Sequence, residues 1–453
     1  MTSFSDAFFS TPAMCAALSD EAHLRGMVAF ESALALAESE AGAIPPEAGP
    51  AIAAALKNVE IPHGASRDAL FADAAKAGTL AIPFIKLLTQ AVKAQNPQAA
   101  SFMHFGATSQ DVIDTALHLQ LVEAVALLDA DLLRMIKAAA KLSSKHRNAI
   151  MLGRTLLQPA TPITFGLKAA QWGLAAHESR QRLQRAAEGA LTLQYGGAAG
   201  TLGALGEKGI AVANAMQKHL ALPLAPTHLP AHTRHGAHAA LGAEVGILAG
   251  ICGKIARDIS LMMQLEVAEC FEAPEAGRGG SSAMPHKRNP VRCMQTLSAA
   301  TRAPGLVATL MSTLVQEHER ALGSWQAEWA TLPELFKLAA GALANMAETL
   351  EGLIVDEARM RQNFDALKGL PMTEAVSLAL APKLGRAAAH EKIEAAARTT
   401  ASSDQTLGQV LRADADLARH LSADDLAKIL DPLNALGSTQ AFIDEALAVL
   451  SNH

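Results

Sequence analysis

Residues 241–265 read LGAEVGILAGICGKIARDISLMMQL, and the apolar side chains in this stretch recur at steps of three and four residues. Such spacing places one apolar stripe along a helix. A second stripe of the same kind runs from Leu121 to Ile136. Both stripes continue past the usual helix length and predict an all-α protein built around a bundle of long helices. No run of strictly alternating apolar and polar residues is long enough to predict a sheet.

The length and composition of the chain bound its domain organisation. Its 453 residues exceed what one hydrophobic core usually holds. Aromatic residues make up only 4 %, and alanine and leucine, which are strong helix formers, dominate instead. Prolines and turn signals break up the two ends of the chain more than its middle. We therefore expect three helical domains over residues 1–105, 106–350 and 351–453, with the long helices in the central one.

Charge and cysteine usage exclude several classes of protein. The formal net charge of −6 argues against nucleic-acid and anionic-membrane partners. The N-terminal residues lack a basic segment followed by an apolar stretch, so no signal peptide is expected. The longest apolar run, Leu241–Cys252, contains Glu244 and is too short to span a bilayer. The four cysteines are scattered and predict reduced, mostly buried thiols in a cytoplasmic protein.

Residues 277–290 read GRGGSSAMPHKRNP and carry the clearest chemical signal. Three glycines within four residues, followed by two serines, predict a flexible loop that can close over a ligand. Asn289 and Pro290 predict the start of a helix at the end of this loop. Lys287 then lies beside the positive end of a helix dipole, and this combination predicts an anion site. The alkoxide of Ser281, held in such a site, would be stabilised, so this serine can act as a base.

The segment 280–290 resembles the signature loop, GSSxMPxKxNP, of the superfamily of fumarase, aspartase, adenylosuccinate lyase and argininosuccinate lyase. Two further segments resemble the first and second regions of that superfamily, in the same order: HFGATSQDVIDT at residues 104–115 and GRTLLQPATP at residues 153–162. The resemblance implies a three-domain, fumarase/aspartase-like helical subunit. It also implies a homotetramer in which each active site combines the three regions from three different subunits.

The resemblance implies a mechanism that needs no cofactor. Enzymes of this superfamily remove a proton α to a carboxylate, pass through an aci-carboxylate and expel a β leaving group. Ser281 matches the catalytic base of the family. Further matches bind the substrate carboxylate or line the site; they are Ser282, Lys287, Asn289, Thr108, Ser109 and Gln158. Fixed donors placed where charge builds up in the transition state lower its free energy.

Leu156 departs from the pattern of the superfamily. Most members carry a histidine at this position, and that histidine helps to protonate the leaving group. Leucine cannot transfer a proton, so an amine or hydroxide leaving group would lack its acid. A carboxylate has a conjugate-acid pKa of about 4 and leaves without protonation. In the reverse direction, a carboxylate is already a competent nucleophile.

The 3-carboxy-cis,cis-muconate cycloisomerases fit this chemistry, because they also lack that histidine. They share a stretch similar to QEHERALGSWQAEWATLP at residues 316–333. The implied substrate is a small polyanionic carboxylate, whose own carboxylate adds across a carbon–carbon double bond to give 4-carboxymuconolactone.

Five more residues are candidates for binding the anionic substrate. Arg320 can clamp a carboxylate bidentately, the alternative being a surface ion pair. Arg154 can do likewise, or it can hold its loop in place. His104 can bind the substrate or be a plain helix-end histidine. His286, inside the signature loop, and His318 complete the set.

Other functions remain open on the sequence. His232, His235 and His238 recur every three residues, but no cysteine or carboxylate lies at ligand spacing, so no metal site is expected. The rival activities are a cycloisomerase for a sulfo-substituted muconate and a lyase for adenylosuccinate or argininosuccinate. A non-catalytic, crystallin-like tetramer is the alternative from another class. Retention of Ser281, Lys287 and Asn289 argues against it.

Overall fold

The computed structural model describes residues 3–280, 284 and 287–451, and nearly all of the regular secondary structure in this part of the chain is helical. The all-α prediction is therefore confirmed. The helices of the first half are α1 (Phe4–Phe9), α2 (Pro12–Ala17), α3 (Asp20–Glu40), α4 (Ala48–Lys57), α5 (Gly64–Ala77), α6 (Ala81–Gln95), α7 (Ser109–Lys145), α8 (Phe165–Ala190) and α9 (Gly209–Leu220). Those of the second half are α10 (Gly236–Met262), α11 (Val291–Ser312), α12 (Ser324–Glu351), α13 (Glu357–Asp365), α14 (Thr373–Leu384), α15 (Arg386–Ala401), α16 (Leu407–Ala413), α17 (Ala423–Leu430) and α18 (Thr439–Leu450).

The long helices predicted from the apolar stripes are present. α7 has 37 residues and α10 has 27, and each contains one of the two stripes. Local sequence sets several helix starts. Ser19 caps α3 by accepting a hydrogen bond from the Ala22 amide, and Thr406 and Gln409 form a reciprocal capping box at α16.

The described chain forms two compact units, each assembled from separate stretches. One unit comprises the residues up to Ala130 together with Ser179–Gly250 and Ser298–Leu343. The other comprises Asp131–Glu178, Ile251–Leu297 and the chain from Ala344 onward. The division into three domains along the sequence stays a prediction.

The first unit has a large hydrophobic core, to which helices α3 to α7, α9 and α12 contribute. Burying each large apolar side chain contributes roughly 1.5–3 kcal/mol. The main contributors are Leu24, Met27, Phe30 and Leu34 of α3, Ile52 and Leu56 of α4, Phe84 and Leu88 of α6, Val112 and Ala116 of α7, Val212 and Met216 of α9, and Trp325 of α12.

The second unit contains two smaller apolar clusters. One lies among the C-terminal helices α14 to α17 and includes Val376, Leu380 and Ile393. The other joins Ile150 and Leu152 to Phe364 of α13 and to Met372.

A β-hairpin in the second unit was not predicted from the sequence. Strands β1 (Ile150–Thr155) and β2 (Gln158–Thr164) pair antiparallel, with Thr155 opposite Gln158. Pro159 and Pro162 argue against a strand, and Ile150–Leu152 are buried in succession instead of alternating with exposed residues. The period-2 signal is therefore missing. Two further strands, β3 (Cys270–Phe271) and β4 (Ile354–Val355), form a minimal second sheet.

Helix α10 extends well beyond the apolar run Leu241–Cys252. Among the described residues it is the one helix long and apolar enough to cross a membrane, and 56 % of its most apolar window is buried. A core helix passes the same test of length and composition, so this burial agrees with the prediction of a core helix. The four cysteines are all unpaired, and three of them are buried, as predicted.

The close approach of α3 and α4 depends on Gly49. A Cβ at this position would lie 2.3 Å from the Ala35 carbonyl oxygen and 2.5 Å from Ser39 Oγ. We expect Gly49→Ala to lower the free energy of unfolding by about 1–3 kcal/mol, because two helix backbones must move apart. Chemical unfolding of the two proteins measures the difference.

Gly189→Ala is the matched control for this substitution. Nothing lies within 4 Å of a Cβ built at Gly189 in α8, so the free energy of unfolding should stay unchanged or rise by up to about 1 kcal/mol. Equal effects of the two substitutions would contradict the packing role of Gly49.

Candidate active site

Three predicted site residues lie together in the first unit, at the start of α7. Ser109 is the first residue of the helix, and Thr108 directly precedes it. His104 lies in the loop just before, with a left-handed backbone at φ +55°. Non-glycine residues rarely adopt this conformation, which is found preferentially at functional sites.

Arg320 is brought to the same place from a distant part of the sequence. Its Nη2 donates to Thr108 Oγ1 at 3.0 Å and to the Ala198 carbonyl at 3.1 Å. Its Nε donates to Gln110 Oε1 at 3.3 Å. Among the described residues, none accepts a hydrogen bond from Nη1, so part of the guanidinium fork remains available to an anion. His318 lies exposed two residues before Arg320, again with a positive φ.

Asp111 organises this region, although the sequence had not marked it as functional. Its buried carboxylate accepts hydrogen bonds from the amides of Thr108, Gly196 and Gly197, at 2.9–3.0 Å. The fourth contact is with His232 Nε2 at 2.7 Å. One side chain thus ties the start of α7 to two remote segments. Such long-range contacts leave no periodic signal in the sequence.

His104 has a buried acidic partner, Glu31 of α3. Its Nδ1 lies 2.6 Å from Glu31 Oε1, and the Glu31 side chain is inaccessible to solvent. Burial by itself would lower the pKa of the imidazole, but the charge and hydrogen bond of Glu31 raise it above its usual value. The contact with Glu31 therefore favours the cationic form of this imidazole.

A second buried cluster contains three histidines and Glu328. His235 Nδ1 lies 2.7 Å from Glu328 Oε2, and His238 Nε2 lies 2.8 Å from His118 Nε2. Burial by itself would raise the pKa of Glu328. The hydrogen bonds from His235 and His238 outweigh burial and lower this pKa to about 2. Burial followed by the neighbouring His238 lowers the pKa of His118 to about 3, so His118 is neutral.

Of the described residues, His235, His238 and Glu328 are the group whose atoms lie close enough to hold a metal ion, within 4.8 Å of one another. Their shortest contact is a hydrogen bond between His235 and Glu328. The third histidine of the sequence repeat, His232, is bound to Asp111 instead.

In the second unit, the β1–β2 hairpin presents Leu156, Leu157 and Gln158. The two leucines form a two-residue turn with φ of +51° and +63°, and Leu156 is 97 % exposed. Gln158 follows at the start of β2 and is also exposed. Hairpin turns of this backbone type favour Asn-Gly, so two leucines here are strained.

Arg154 lies near this turn but is already paired. Its guanidinium makes a bidentate contact with Glu269, at 2.7 and 2.9 Å, and the Glu269 side chain is fully buried. Of the two interpretations of Arg154, the geometry favours the one in which it holds its loop in place.

Lys287 and Asn289 also belong to the second unit, directly before α11. The Asn289 amide donates to the Gly279 carbonyl at 2.9 Å, which closes the base of the signature loop. Lys287 is exposed. Ser281, Ser282 and His286 lie outside the described residues.

The predicted helix start is confirmed, since α11 begins at Val291. The predicted anion site at this helix end needs correction. The Arg292 and Cys293 amides donate to the Glu272 carboxylate at 3.3 and 2.9 Å, so an acid of the chain itself occupies these donors. Glu272 is 20 residues away along the chain, and the sequence had not indicated this contact. The Arg292 and Cys293 amides are therefore not available to a substrate anion.

Comparison with known proteins adds an independent test of the resemblance. Residues 8–305 match the lyase family model, and residues 369–446 match the model for the C-terminus of adenylosuccinate lyase. A 3-carboxy-cis,cis-muconate cycloisomerase of Bradyrhizobium diazoefficiens is 48 % identical over 97 % of this chain and 96 % of that protein. The crystal structure of the 3-carboxy-cis,cis-muconate lactonizing enzyme from Pseudomonas putida matches with a TM-score of 0.91 and 41 % identity, covering 99 % of each chain.

The chain belongs to the 3-carboxy-cis,cis-muconate cycloisomerase family of the fumarase/aspartase superfamily. A nitrosuccinate lyase of Streptomyces davaonensis is 40 % identical over 95 % of this chain and 91 % of that protein, so this group of relatives includes another activity. The predicted family and the lyase-type enzyme class are confirmed.

Asp111 provides a direct test of how the family's first region is built. In Asp111→Asn, one carboxylate oxygen becomes an amide that can only donate, so two of the four donors lose their acceptor. We expect the free energy of unfolding to fall by about 3 kcal/mol, because buried groups are left unsatisfied. Chemical unfolding measures this change.

Asp68→Asn is the control, because Asp68 is exposed and pairs only with its neighbour Arg67. Its free energy of unfolding should change by less than about 0.5 kcal/mol. If Asp111→Asn is equally mild, Asp111 does not organise the region.

Proposed function

We propose that this protein is a cycloisomerase that converts 3-carboxy-cis,cis-muconate to 4-carboxymuconolactone. The observation that carries the proposal is the near-complete match, at 41 % and 48 % identity, to two proteins named for that substrate. The site residues singled out in the sequence are compatible with this reaction.

The reaction is an intramolecular addition. A carboxylate oxygen of the substrate forms a bond to one alkene carbon. The electron pair of the double bond moves toward the adjacent carbon, where the neighbouring carboxylate takes up the charge as an aci-carboxylate. A proton is then delivered to that carbon. We assign this proton to Ser281, which acts as a base in the eliminating direction and as a donor in the lactonising one.

Charge on the aci-carboxylate must be stabilised by fixed donors. We assign this role to Ser282, Lys287 and Asn289 of the signature loop, with His286 as a further contact. Removing one such donor typically costs on the order of 10²–10³ in rate.

The first unit supplies the second anion contact. Arg320 is held by Gln110, Thr108 and Ala198 and keeps Nη1 available, so it is preorganised to clamp another substrate carboxylate. We assign binding roles to Thr108, Ser109, His104 and His318 beside it.

The residues of the hairpin tip are chemically compatible with this reaction. Leu156 occupies the position of the family's usual acid, and a nucleophilic carboxylate needs neither an acid nor a base at that point. We infer that Leu156 and Leu157 form an apolar wall and that Gln158 supplies a polar contact. Arg154, paired with Glu269, would position this hairpin.

We infer from the resemblance to the superfamily a homotetramer in which three subunits contribute to each site. We also infer that the enzyme works in the cytoplasm, in the protocatechuate branch of aromatic degradation. The three-domain division over residues 1–105, 106–350 and 351–453 belongs to the same proposal.

The substrate can be tested by ultraviolet absorbance. Lactonisation removes conjugation from 3-carboxy-cis,cis-muconate, so absorbance should fall when wild-type protein is added. Ser281→Ala should abolish nearly all of the fall, because the carbon-bound proton then has no donor. Ser402→Ala, at an exposed position on the C-terminal side of α15, is the control and should keep full activity.

Absence of turnover, together with turnover of 3-sulfomuconate, adenylosuccinate or argininosuccinate, would refute the proposed substrate within the same superfamily. Full activity in Ser281→Ala would refute the assigned proton donor instead.

The strained turn predicts a trade-off between stability and activity. Replacing Leu156–Leu157 by Asn-Gly suits the turn, so the free energy of unfolding should rise by about 1–2 kcal/mol. Lactonising activity should fall at least about tenfold, because the apolar wall is lost. Thermal unfolding and the absorbance assay measure the two effects.

Ala221→Gly is the matched control, because Ala221 is exposed and also has a left-handed backbone, at φ +52°. It should gain stability without losing activity. A double replacement at the hairpin tip that keeps full activity would contradict the role of the leucines.

A further inference from the structure

Two glutamates lie buried on one face of α3, beneath the His104 loop. Glu31 and Glu38 are seven residues apart, which is two helical turns, so their side chains share a face. Their exposed fractions are 1 % and 0 %. The ring of Tyr195, which is also buried, packs edge-on against Phe30 of the same helix.

Most of the polar atoms in this cluster have no hydrogen-bond partner among the described residues. Only Glu31 Oε1 has one, namely His104 Nδ1 at 2.6 Å. Glu31 Oε2, both carboxyl oxygens of Glu38 and the hydroxyl of Tyr195 have none. A buried carboxylate without a partner is strongly unfavourable.

The cluster reaches zero net charge when His104 is cationic and one of the two glutamates carries a proton. There are two buried carboxyl groups and one group that can become cationic, His104. The other charged neighbour, Asp111, is already matched by His232 and three amides. If both glutamates were ionised, the cluster would carry a net negative charge and would repel a polyanionic substrate. A single proton on one of them removes this charge.

Electrostatics places that proton on Glu38. Burial, followed by the nearby charge of Glu31, raises the pKa of Glu38 to about 9. Burial and the charge of Glu38 also raise the pKa of Tyr195, so its hydroxyl stays neutral. Glu31, by contrast, already has a partner, because its Oε1 lies 2.6 Å from His104 Nδ1.

We propose that Glu38 holds a proton at neutral pH and that Glu31 and Glu38 are positioning residues, which together hold His104 as an imidazolium to bind a substrate carboxylate. This inference rests on the proposed function. In this proposal Glu31 supplies the single negative charge that stabilises the imidazolium. Glu38 is neutral and adds no second negative charge to the cluster.

The geometry gives this cation a binding role. Nδ1 of His104 is taken by Glu31, and the side chain remains 19 % exposed. Nε2, on the opposite edge of the ring, can then donate a charge-assisted hydrogen bond to an incoming carboxylate. His104 acts on the substrate, while Glu31 and Glu38 act through it.

Infrared difference spectroscopy tests the proton on Glu38. The carbonyl stretch of a protonated carboxyl lies above the carboxylate bands and shifts in D2O. At neutral pH, the difference spectrum of wild-type protein minus Glu38→Gln should contain this band. The pKa of buried Asp114 is also raised, so a band that the two proteins share is not assigned to Glu38. The matched control is Glu40→Gln, which lies on the same helix but is exposed and pairs with His219 at 2.8 Å; this variant should keep the band.

Steady-state kinetics test the positioning role of Glu31. Glu31→Gln removes the charge that holds His104 cationic, so KM should rise about 10- to 100-fold while kcat changes much less. Glu31→Asp keeps the charge and should restore part of the affinity. Glu40→Gln should leave KM unchanged. Circular dichroism verifies that each variant is folded.

Each outcome decides one part of the proposal. A wild-type minus Glu38→Gln difference spectrum without the band would show that Glu38 is ionised and would overturn the assignment. An unchanged KM in folded Glu31→Gln would overturn the positioning role. If the muconate is not a substrate, the infrared band still locates the proton. In that case the spectrum of 13C-labelled histidine, assigned with His104→Gln, should show whether Glu31→Gln neutralises the imidazole.

Discussion

The hydrogen bonds that converge on the Asp111 carboxylate are the constraint on which the first unit's part of the candidate site depends. Four donors from three separate segments meet at one buried side chain. Because a buried carboxylate is stable only when its oxygens are satisfied, the segments must take up their positions together. The start of α7 is thereby held against the Gly196–Gly197 turn, and Thr108 and Arg320 come within hydrogen-bonding distance.

Several acidic side chains are buried in this unit, and their charges are compensated in different ways. Asp111 is neutralised by amides and His232, Glu31 by His104, and Glu328 by His235. Glu38 has no hydrogen-bond partner among the described residues, and burial followed by the charge of Glu31 raises its pKa to about 9. A protein with a net charge of −6 that takes a polyanion must confine positive charge to its site. Internal pairing of Asp111, Glu31 and Glu328 limits the negative charge that this unit presents.

The hairpin tip contrasts with these buried acids, because it carries apolar side chains in a strained, exposed turn. Nothing in the packing of its own unit requires leucine there. An intramolecular carboxylate nucleophile removes the need for an acid at Leu156, so an apolar residue can replace it without loss of chemistry. Strain of this kind is retained where function selects the side chains.

The sequence by itself determined the helical class, the long helices α7 and α10 and the family. Those features depend on local periodicity and on contiguous motifs, which a linear chain displays directly. It also located the loop before α11 and the residues Thr108, Ser109 and Arg320. Only the tertiary structure decided that Glu272 occupies the end of α11, that Arg154 pairs with Glu269, that Asp111 collects four donors, and that Glu31 and Glu38 are buried. These contacts join residues far apart in the chain, and the charge state of a buried group depends on neighbours that only folding brings together.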